Sequence, residues 1–299
     1  MQSAQARRAS GDLPAAKSGE FRIGNDLRVN RLGYGAMRIT GKGIWGPPAD
    51  RAESIRVLRR AVELGVNFID TADSYGPHVS EEIIAEALHP YPASLVIATK
   101  GGFERPGPDQ WVENGQPKHL REACEGSLRR LRLERIDLYQ LHRIDPKVPA
   151  DDQLGTLKEL QAEGKIKHIG LSEVRVSQIQ HAQTIVPIVT VQNRYSAVDH
   201  GAEDVLNFCA SENIGFIPWF PLAAGRVGKT GSDLARAAEE VGVTPSQLAL
   251  AWLLWRSPVM LPIPGTSNVE HLEENVLTAT LRIPDGVLRE VGERTSSSN

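Results

Sequence analysis

From residue 21 onward, short apolar runs alternate with stretches in which apolar residues recur at helical spacing. The apolar runs predict strands at 31–36, 67–70, 95–99, 136–141, 167–171, 189–193, 215–219 and 259–263. Between them, helices are predicted most clearly at 53–65, 119–131 and 151–166. Eight strand–helix units without a linker indicate a parallel sheet with crossover helices, and eight is the number that closes a barrel.

An open, doubly wound sheet is the alternative for such an alternation. No Gly-x-Gly-x-x-Gly follows a predicted strand, so the dinucleotide-binding turn of that architecture is missing. The segment 21–30 has the pattern of a two-stranded hairpin that turns at Gly24, Asn25 and Asp26. We therefore expect an α/β fold, a (β/α)₈ TIM barrel with an N-terminal β-hairpin closing its bottom. Residues 1–19 are predicted to form a disordered tail and 20–299 a single domain.

Composition narrows the class of protein. With 40% hydrophobic and 24% charged residues and a net charge of −3, the chain has no basic excess for nucleic acid. No apolar run predicts a secretory signal or a membrane span. Cys124 and Cys209 stand alone, and no histidine pair has ligand spacing, so neither a disulfide nor a metal site is expected. These features favour a cytoplasmic enzyme acting as a monomer on a small molecule.

Chemically active side chains stand where three consecutive predicted strands end. Strand 67–70 ends at Asp70, strand 95–99 is followed by Lys100, and strand 136–141 by His142, while Tyr75 lies one short loop beyond Asp70. Singly, these residues more often cap helices, face solvent or fill structural positions. Together they predict a proton-transfer device at the barrel rim. In it, Lys100 lowers the phenol pKa of Tyr75, Asp70 orients Lys100, and His142 binds the substrate oxygen.

Three blocks carry a resemblance to a known family: GVNFIDTADSYGPHVSEEIIAEAL, IATKGG and IDLYQLH. In order and spacing, they are similar to the signature blocks of the aldo-keto reductase superfamily, over about residues 21–281. The resemblance implies a (β/α)₈ barrel that transfers hydride from NADPH to an aldehyde or ketone. It also implies a catalytic tetrad of Asp70, Tyr75, Lys100 and His142, with Tyr75 as general acid.

Further blocks resemble the cofactor-binding segments of the family: GYGAM, GLSE, VQNRYS, PWFPLAAG and PIPGTSNVEHLEEN. In this comparison Ser172 and Gln192 contact the nicotinamide carboxamide, and Trp219 stacks on its ring in place of the commoner tyrosine. The turn at residues 265–268, at the start of the helix predicted in the last of these blocks, seats the adenosine 2′-phosphate, because helix N-termini favour anions. The implied cofactor-binding residues are Gly35, Ala36, Met37, Asp70, Ser172, Gln192, Trp219, Phe220, Pro221, Leu222, Gly225, Arg226, Gly265, Thr266, Ser267, His271, Glu274 and Asn275.

Two positions depart from the family pattern. Glu173 replaces the usual asparagine beside the carboxamide, and a carboxylate can accept hydrogen bonds there but cannot donate one. We hypothesise that its charge favours the oxidised, cationic nicotinamide. His271 stands where many members have arginine, and the phosphate-binding block contains no Lys or Arg.

The segment 223–230 ends like a nucleotide-phosphate loop but has Ala223 where the first glycine of that motif should be. We therefore reject this motif.

Substrate choice is assigned to the loops 37–50 and 101–116, with Trp45, Tyr75, Phe103 and His142 as substrate-contacting residues. Among reductases, the chain most resembles the bacterial pyridoxal-reductase-like group, which suggests pyridoxal or a bulkier ring ketone. Two rival functions stay open. One is a nicotinamide-binding, redox-sensing regulatory subunit, and the other is an alcohol dehydrogenase working mainly in the oxidative direction.

Overall fold

The computed structural model describes residues 13–223 and 232–296. Its strands are β1 (Glu20–Ile23), β2 (Leu27–Asn30), β3 (Tyr34–Gly35), β4 (Phe68–Asp70), β5 (Val96–Gly101), β6 (Phe103–Glu104), β7 (Val112–Glu113), β8 (Ile136–Leu141), β9 (Ile166–Ser172), β10 (Ile188–Gln192) and β11 (Gly215–Phe216). Its α-helices are α1 (Arg51–Glu63), α2 (Val79–Leu88), α3 (Pro117–Leu131), α4 (Ala150–Ala162), α5 (Val176–Gln183), α6 (Glu203–Ser211), α7 (Asp233–Glu240), α8 (Pro245–Arg256), α9 (Val269–Leu277) and α10 (Asp285–Ser296).

Seven of these strands form one curled sheet in the order β11-β10-β9-β8-β5-β4-β3, and every neighbouring pair is parallel. Strands β4 and β5 are buried at every residue. This is expected for parallel strands, whose outer face is covered by helices and whose inner face is enclosed by the curled sheet. The predicted alternation of strands and helices is therefore confirmed. Within the described ranges, no helix is long and apolar enough to cross a bilayer.

The eighth predicted strand, 259–263, does not form a regular strand. It still makes backbone hydrogen bonds to both edges of the sheet: Leu261 N donates to Phe216 O (2.8 Å), and Gly33 N donates to Pro262 O (2.9 Å). Gly35 and Gly265 bring the two edges still closer, because a Cβ on Gly265 would lie 2.6 Å from the carbonyl oxygen of Gly35. The segment pairs with β11 through an isolated parallel bridge, Met260 opposite Phe216, in which Phe216 N also donates to Val259 O (2.8 Å), and not through a regular ladder.

The N-terminal hairpin is present as predicted, with β1 and β2 paired antiparallel around the Gly24 turn. Asp26 accepts a hydrogen bond from His168 (2.7 Å) and forms an ion pair with Lys167 (2.9 Å), so the hairpin lies against the start of β9. The predicted tail was too long. Residues 14–18 form a 3₁₀ helix in which Ala15 is fully buried, while 1–12 lie outside the described residues.

Arg31, between β2 and β3, ties the beginning of the sheet to the C-terminal helices. Its guanidinium donates to the carbonyl oxygens of Leu254 (2.6 Å), Ser257 (2.6 Å) and Met260 (3.3 Å). These carbonyls sit at the end of α8 and just beyond it, where helix carbonyls lack intrahelical donors. A single side chain thus satisfies the end of one helix and fixes the entry to β3.

Replacing Arg31 with Met is expected to lower the free energy of unfolding by about 2–4 kcal/mol, because partly buried carbonyls lose their donors. Urea denaturation followed by circular dichroism measures the change. Arg28→Met is the matched control, since Arg28 is an exposed arginine of the adjoining hairpin and its guanidinium pairs with Glu20. Equal stability of both variants would mean that the Arg31 hydrogen bonds do not hold the sheet edge.

Candidate active site

The parallel register brings the predicted catalytic residues to one rim. Asp70 stands opposite Ala98 in the β4–β5 pair, and Lys100 stands opposite Gln140 in the β5–β8 pair. His142 follows the last residue of β8, where its backbone N–H donates to Gly101 O (2.9 Å). Because neighbouring parallel strands end at the same edge, side chains far apart in sequence converge there.

The ammonium group of Lys100 is fully buried at the centre of the site. Its Nζ donates to Asp70 Oδ1 (2.6 Å), to the Thr71 carbonyl oxygen (2.7 Å) and to Tyr75 Oη (3.4 Å). Burial by itself would lower the pKa of Lys100, but the Asp70 carboxylate and the Tyr75 phenol stabilise the cation and the net shift is upward. Lys100 is therefore charged at neutral pH and points this charge at the phenol.

The second oxygen of Asp70 is held by two glutamines. Asp70 Oδ2 accepts from Gln140 Nε2 (3.0 Å) and from Gln192 Nε2 (2.9 Å). The sequence prediction placed Gln192 on the nicotinamide carboxamide; in this structure its amide nitrogen is hydrogen-bonded to Asp70. Gln140 was missed, although it precedes His142 by two residues and strand alternation turns both side chains to the same face.

The phenol of Tyr75 lies against Lys100 and His142, with 5.9 Å between the Tyr75 and His142 ring centroids. Its pKa departs from the prediction. Burial raises the pKa of Tyr75 above 10.0, and the positive charge of Lys100 offsets only part of that rise. The expectation of a lowered pKa is wrong because it counted the charge and left out the desolvation. At neutral pH the phenol is protonated.

His142 is almost fully buried, and its Nδ1 lies 3.4 Å from Ser74 Oγ. Burial holds the pKa of His142 well below 6.5, and the nearby cations of Lys100 and Arg143 lower it further. The imidazole is consequently neutral at physiological pH. A neutral imidazole has one N–H donor and one acceptor nitrogen, so it can donate a hydrogen bond to a carbonyl oxygen without supplying a charge.

These residues face a cavity of about 560 Å³ that is mostly apolar and open at one side. Its volume is in the range of pockets that bind small molecules and cofactors. The lining residues are Gly35, Ala36, Met37, Arg38, Ile44, Asp70, Tyr75, Phe103, Trp111, His142, Arg143, Ser172, Gln192, Trp219, Phe220, Pro221, Leu222, Ile263, Pro264 and Gly265. The fold thus gathers most of the predicted cofactor residues and three of the four predicted substrate residues around one space.

Other predicted cofactor residues are placed elsewhere or are not described. Thr266, Ser267, His271, Glu274 and Asn275 continue from the cavity into α9, and Glu274 accepts a hydrogen bond from Thr244 (2.6 Å) at the start of α8. Gly225 and Arg226 lie outside the described residues.

The N-terminus of α9, the predicted phosphate seat, is partly satisfied from within the chain. Asn268 caps it by accepting from His271 N (2.9 Å), and Val269 N donates to the carboxylate of Glu53 (3.1 Å). Two of the first N–H groups of this helix are therefore already hydrogen-bonded within the chain. The fold compensates with a cation that the sequence reasoning missed, since Arg38 lines the cavity directly beside Gly265.

Glu173 is engaged by neighbours in the chain. Its Oε1 accepts from the Arg194 backbone N–H (2.6 Å) and from the Trp219 indole N–H (2.5 Å). Its own backbone is left-handed, with φ of 55°, which few residues other than glycine adopt readily. The carboxylate therefore holds the indole that forms one wall of the cavity.

An aromatic wall and an arginine organise the opposite side. Phe103, Trp111 and His142 contact one another edge to face, with ring centroids 4.7–6.2 Å apart. Arg105 stacks 3.6 Å over the ring of Trp111 and donates to carbonyl oxygens of both neighbouring loops, which the sequence reasoning missed. Trp45, predicted to contact substrate, does not line this cavity and instead faces Arg105 at 5.8 Å.

Comparison with known proteins identifies the family. A model of the Aldo/keto reductase family matches residues 31–293. The chain belongs to this family. It is 49% identical over 291 residues to an uncharacterized oxidoreductase of Schizosaccharomyces pombe, which covers 97% of this chain and 94% of that protein. It is 44% identical over 277 residues to pyridoxine 4-dehydrogenase of Escherichia coli, covering 91% and 96%. The expected resemblance to the pyridoxal-reductase-like group is thereby confirmed.

Solved aldo-keto reductases share the fold. Glycerol dehydrogenase of Gluconobacter oxydans superposes with a TM-score of 0.84 at 26% identity, over 94% of this chain and 96% of that one. An aldo/keto reductase from Klebsiella pneumoniae, solved in complex with NADP and acetate, superposes with a TM-score of 0.76 at 27% identity, over 92% and 94%. The curled parallel sheet and its helices thus belong to an established oxidoreductase architecture.

Asp73, in the loop between Asp70 and Tyr75, has a buried carboxyl group that takes no part in the hydrogen bonds of Lys100. Asp73 is 3% exposed, and its Oδ1 has no hydrogen-bond partner among the described residues. Burial, reinforced by the nearby carboxylate of Glu81, raises the pKa of Asp73 to about 8. The carboxyl group is therefore largely protonated in the folded protein at neutral pH, whereas the unfolded chain ionises it near pH 3.8.

Because the folded state binds this proton more tightly, Asp73 destabilises the protein progressively as pH rises from about 4 to about 8. Asp73→Asn, which mimics the protonated carboxyl, is expected to gain stability relative to the wild type over that window, by up to about 1.4 kcal/mol per pH unit. Urea denaturation at several pH values measures the difference. Asp152→Asn, which changes an exposed carboxylate, is the control variant. A constant difference between Asp73→Asn and wild type would place an ionised carboxylate in the folded protein.

Proposed function

We propose that this chain is an NADPH-dependent reductase that converts an aldehyde or ketone to an alcohol, with Tyr75 as general acid. The observation that carries the proposal is the buried chain Asp70–Lys100–Tyr75, which ends beside His142 at the cavity wall. A protonated phenol can supply a proton to a carbonyl oxygen, while a fixed cation and a neutral imidazole can stabilise and position that oxygen.

The protein's part in the reaction is to bind the carbonyl oxygen and give it a proton. His142, neutral at physiological pH, donates a hydrogen bond that fixes the oxygen within reach of Tyr75 Oη. As negative charge develops on that oxygen, the phenol transfers its proton, and the Lys100 cation stabilises the phenolate that remains. Asp70 keeps Lys100 in place throughout, because both of its oxygens are hydrogen-bonded.

The cavity suits a nicotinamide cofactor, which supplies the hydride when it is bound. Trp219 presents an aromatic wall for the nicotinamide, and Gly35 and Gly265 also line the cavity. Arg38 offers a positive charge for a phosphate next to the α9 turn. The Klebsiella relative crystallised with NADP supports the choice of the phosphorylated cofactor.

Ser172 and Gln192 remain our candidates for the nicotinamide carboxamide. Arg143 Nη1 donates to Ser172 Oγ (3.1 Å), so the hydroxyl proton of Ser172 is directed away from Arg143 and is available to the carboxamide oxygen. Glu173 acts indirectly, by holding Trp219. This replaces the hypothesis that its charge selects the oxidised nicotinamide.

A compact aromatic carbonyl compound is the substrate class that fits the site. Phe103, Trp111 and Ile44 give the cavity an apolar wall for a flat ring, close to His142. The similarity to pyridoxine 4-dehydrogenase supports a pyridoxal-like ring. A bulkier ring ketone is the second candidate, because the cavity is open at one side.

Oxidation of an alcohol is the alternative direction, and the names of two relatives, pyridoxine 4-dehydrogenase and glycerol dehydrogenase, favour it. That direction requires Tyr75 as a phenolate. Since burial raises the pKa of Tyr75, the protonated form that reduction uses dominates at neutral pH.

For the fold, we infer that 259–263 completes an eight-stranded barrel and that the hairpin β1–β2 closes its amino-terminal end. The hydrogen bonds of this segment to both sheet edges and the contacts of Asp26 with β9 support this arrangement.

Tyr75→Phe is expected to reduce kcat for carbonyl reduction by about 10²–10⁴-fold, because the general acid is lost. NADPH binding should persist, since the substitution removes a single hydroxyl. Oxidation of NADPH is followed by its near-ultraviolet absorbance with pyridoxal, aromatic aldehydes and bulky ring ketones, and binding by quenching of tryptophan fluorescence.

Lys100→Met is the companion variant and should also suppress turnover, by leaving the phenol without its cation. Wild-type protein that binds NADPH tightly but reduces no member of the panel would contradict the proposal and favour a redox-sensing subunit. Full turnover in Tyr75→Phe would remove the phenol from the mechanism.

Glu173→Ala is expected to weaken the binding of NADPH and NADP⁺ by a similar factor, of about three- to tenfold, because the Trp219 indole loses its acceptor. Glu173→Gln keeps an acceptor oxygen and should lie close to wild type. Titration of tryptophan fluorescence gives both dissociation constants. A changed ratio of NADP⁺ to NADPH affinity in Glu173→Gln would instead restore the hypothesis that the charge itself acts on the nicotinamide.

A further inference from the structure

Arg143 is a cation of the cavity wall that the catalytic tetrad does not use. It follows His142 directly, is partly buried and lines the same cavity. Its Nη1 donates to the carbonyl oxygen of His142 (2.6 Å) and to Ser172 Oγ (3.1 Å). Its Nε and Nη2 make no hydrogen bond with any residue in the ranges 13–223 and 232–296.

The charge of Arg143 is not neutralised nearby. Among the described residues, no carboxylate lies within 4.0 Å of its guanidinium. Glu173 and Glu113 are the acids whose charges act on it, and the Glu173 carboxylate is already hydrogen-bonded to Trp219 and Arg194. A guanidinium stays charged in proteins, so this partly buried one lacks the carboxylate that would complete an ion pair.

The other two cations around His142 are accounted for. Lys100 is paired with Asp70, and Arg105 spends its N–H groups on three backbone carbonyl oxygens. Of these three cations, Arg143 is the one whose Nε and Nη2 donors are not accepted by any residue that the structure describes. Its fork of N–H groups matches the two oxygens of a carboxylate better than an ammonium would, and it can also donate to the single oxygen of an ionised phenol.

Phe103 relates this cation to the reacting centre. The centroid of the Phe103 ring lies 4.7 Å from the centroid of the His142 ring and 5.4 Å from Arg143 Cζ. The imidazole and the guanidinium therefore border the same part of the cavity. One aromatic ring is a suitable spacer between a carbonyl held by His142 and an anionic substituent held by Arg143.

We propose that Arg143 selects substrates in which the carbonyl and an anionic group, a carboxylate or an ionised phenol, are carried by one ring. The proposal rests on the reductase function proposed above and deepens it by naming a substrate class. Arg143 is in this sense a specificity-determining residue. The anionic group completes the ion pair that the chain leaves open.

The test compares matched acids and esters. Substrates are the ortho, meta and para isomers of formylbenzoate and their methyl esters, which differ in the negative charge. In wild-type protein, kcat/KM for at least one isomer is expected to exceed that of its ester by about tenfold or more. In Arg143→Met this ratio should fall to near one, while Arg143→Lys should retain part of it. Arg121→Met, which removes a cation paired with Glu163 on the outer surface, should leave the ratio unchanged.

Each other outcome counts against a definite statement. Ratios near one for all three isomers in wild type, or an undiminished ratio in Arg143→Met, would overturn the role of Arg143. An unchanged ratio together with weaker NADPH binding in Arg143→Met would assign the guanidinium to the cofactor instead. Turnover of neither acids nor esters by wild type would count against the reductase function itself, so the two failures are distinguishable.

Discussion

The buried ion pair between Lys100 and Asp70 is the interaction around which the site is built. An ammonium group with no exposure is tolerated because a carboxylate, a backbone carbonyl and a phenol all accept from it. Removing one partner of such a pair leaves an uncompensated charge and typically costs about 3–5 kcal/mol. The ends of β4, β5, β8 and β10 each contribute to this network through Asp70, Lys100, Gln140 and Gln192. The alignment of these strands therefore also sets the electrostatics of the site.

Burial sets the protonation states as much as charge does. Tyr75 and His142 both keep the neutral form at physiological pH, one because its pKa is raised and the other because it is lowered, and desolvation is the main cause in each case. A neutral phenol and a neutral imidazole beside a permanent cation form a donor-rich surface. Such a surface suits a polarised carbonyl oxygen, and in the reaction proposed above it would stabilise the negative charge that develops on that oxygen.

Cations are concentrated around the cavity, and each has a different degree of compensation. Lys100 is fully paired, Arg105 is bound by carbonyl oxygens of two loops, and Arg143 keeps unused donors on the cavity side. Arg38 adds a further charge at the edge next to Gly265. The graded compensation separates structural cations, whose contacts are complete, from those available to ligands.

The alternation of strands and helices, the hairpin and the family could all be read from the sequence, because period and motif are local properties of the chain. The convergence of Asp70, Tyr75, Lys100 and His142 was also predictable, since parallel strands end at one rim. Other features depend on residues that are distant in sequence. Gln140 and Gln192 reach Asp70 across the sheet, Arg38 meets Gly265, and Glu173 holds Trp219. The sequence by itself determined which groups stand at the strand ends. Only the tertiary structure decided their partners and protonation states, because desolvation and hydrogen-bond geometry arise when separate segments pack together.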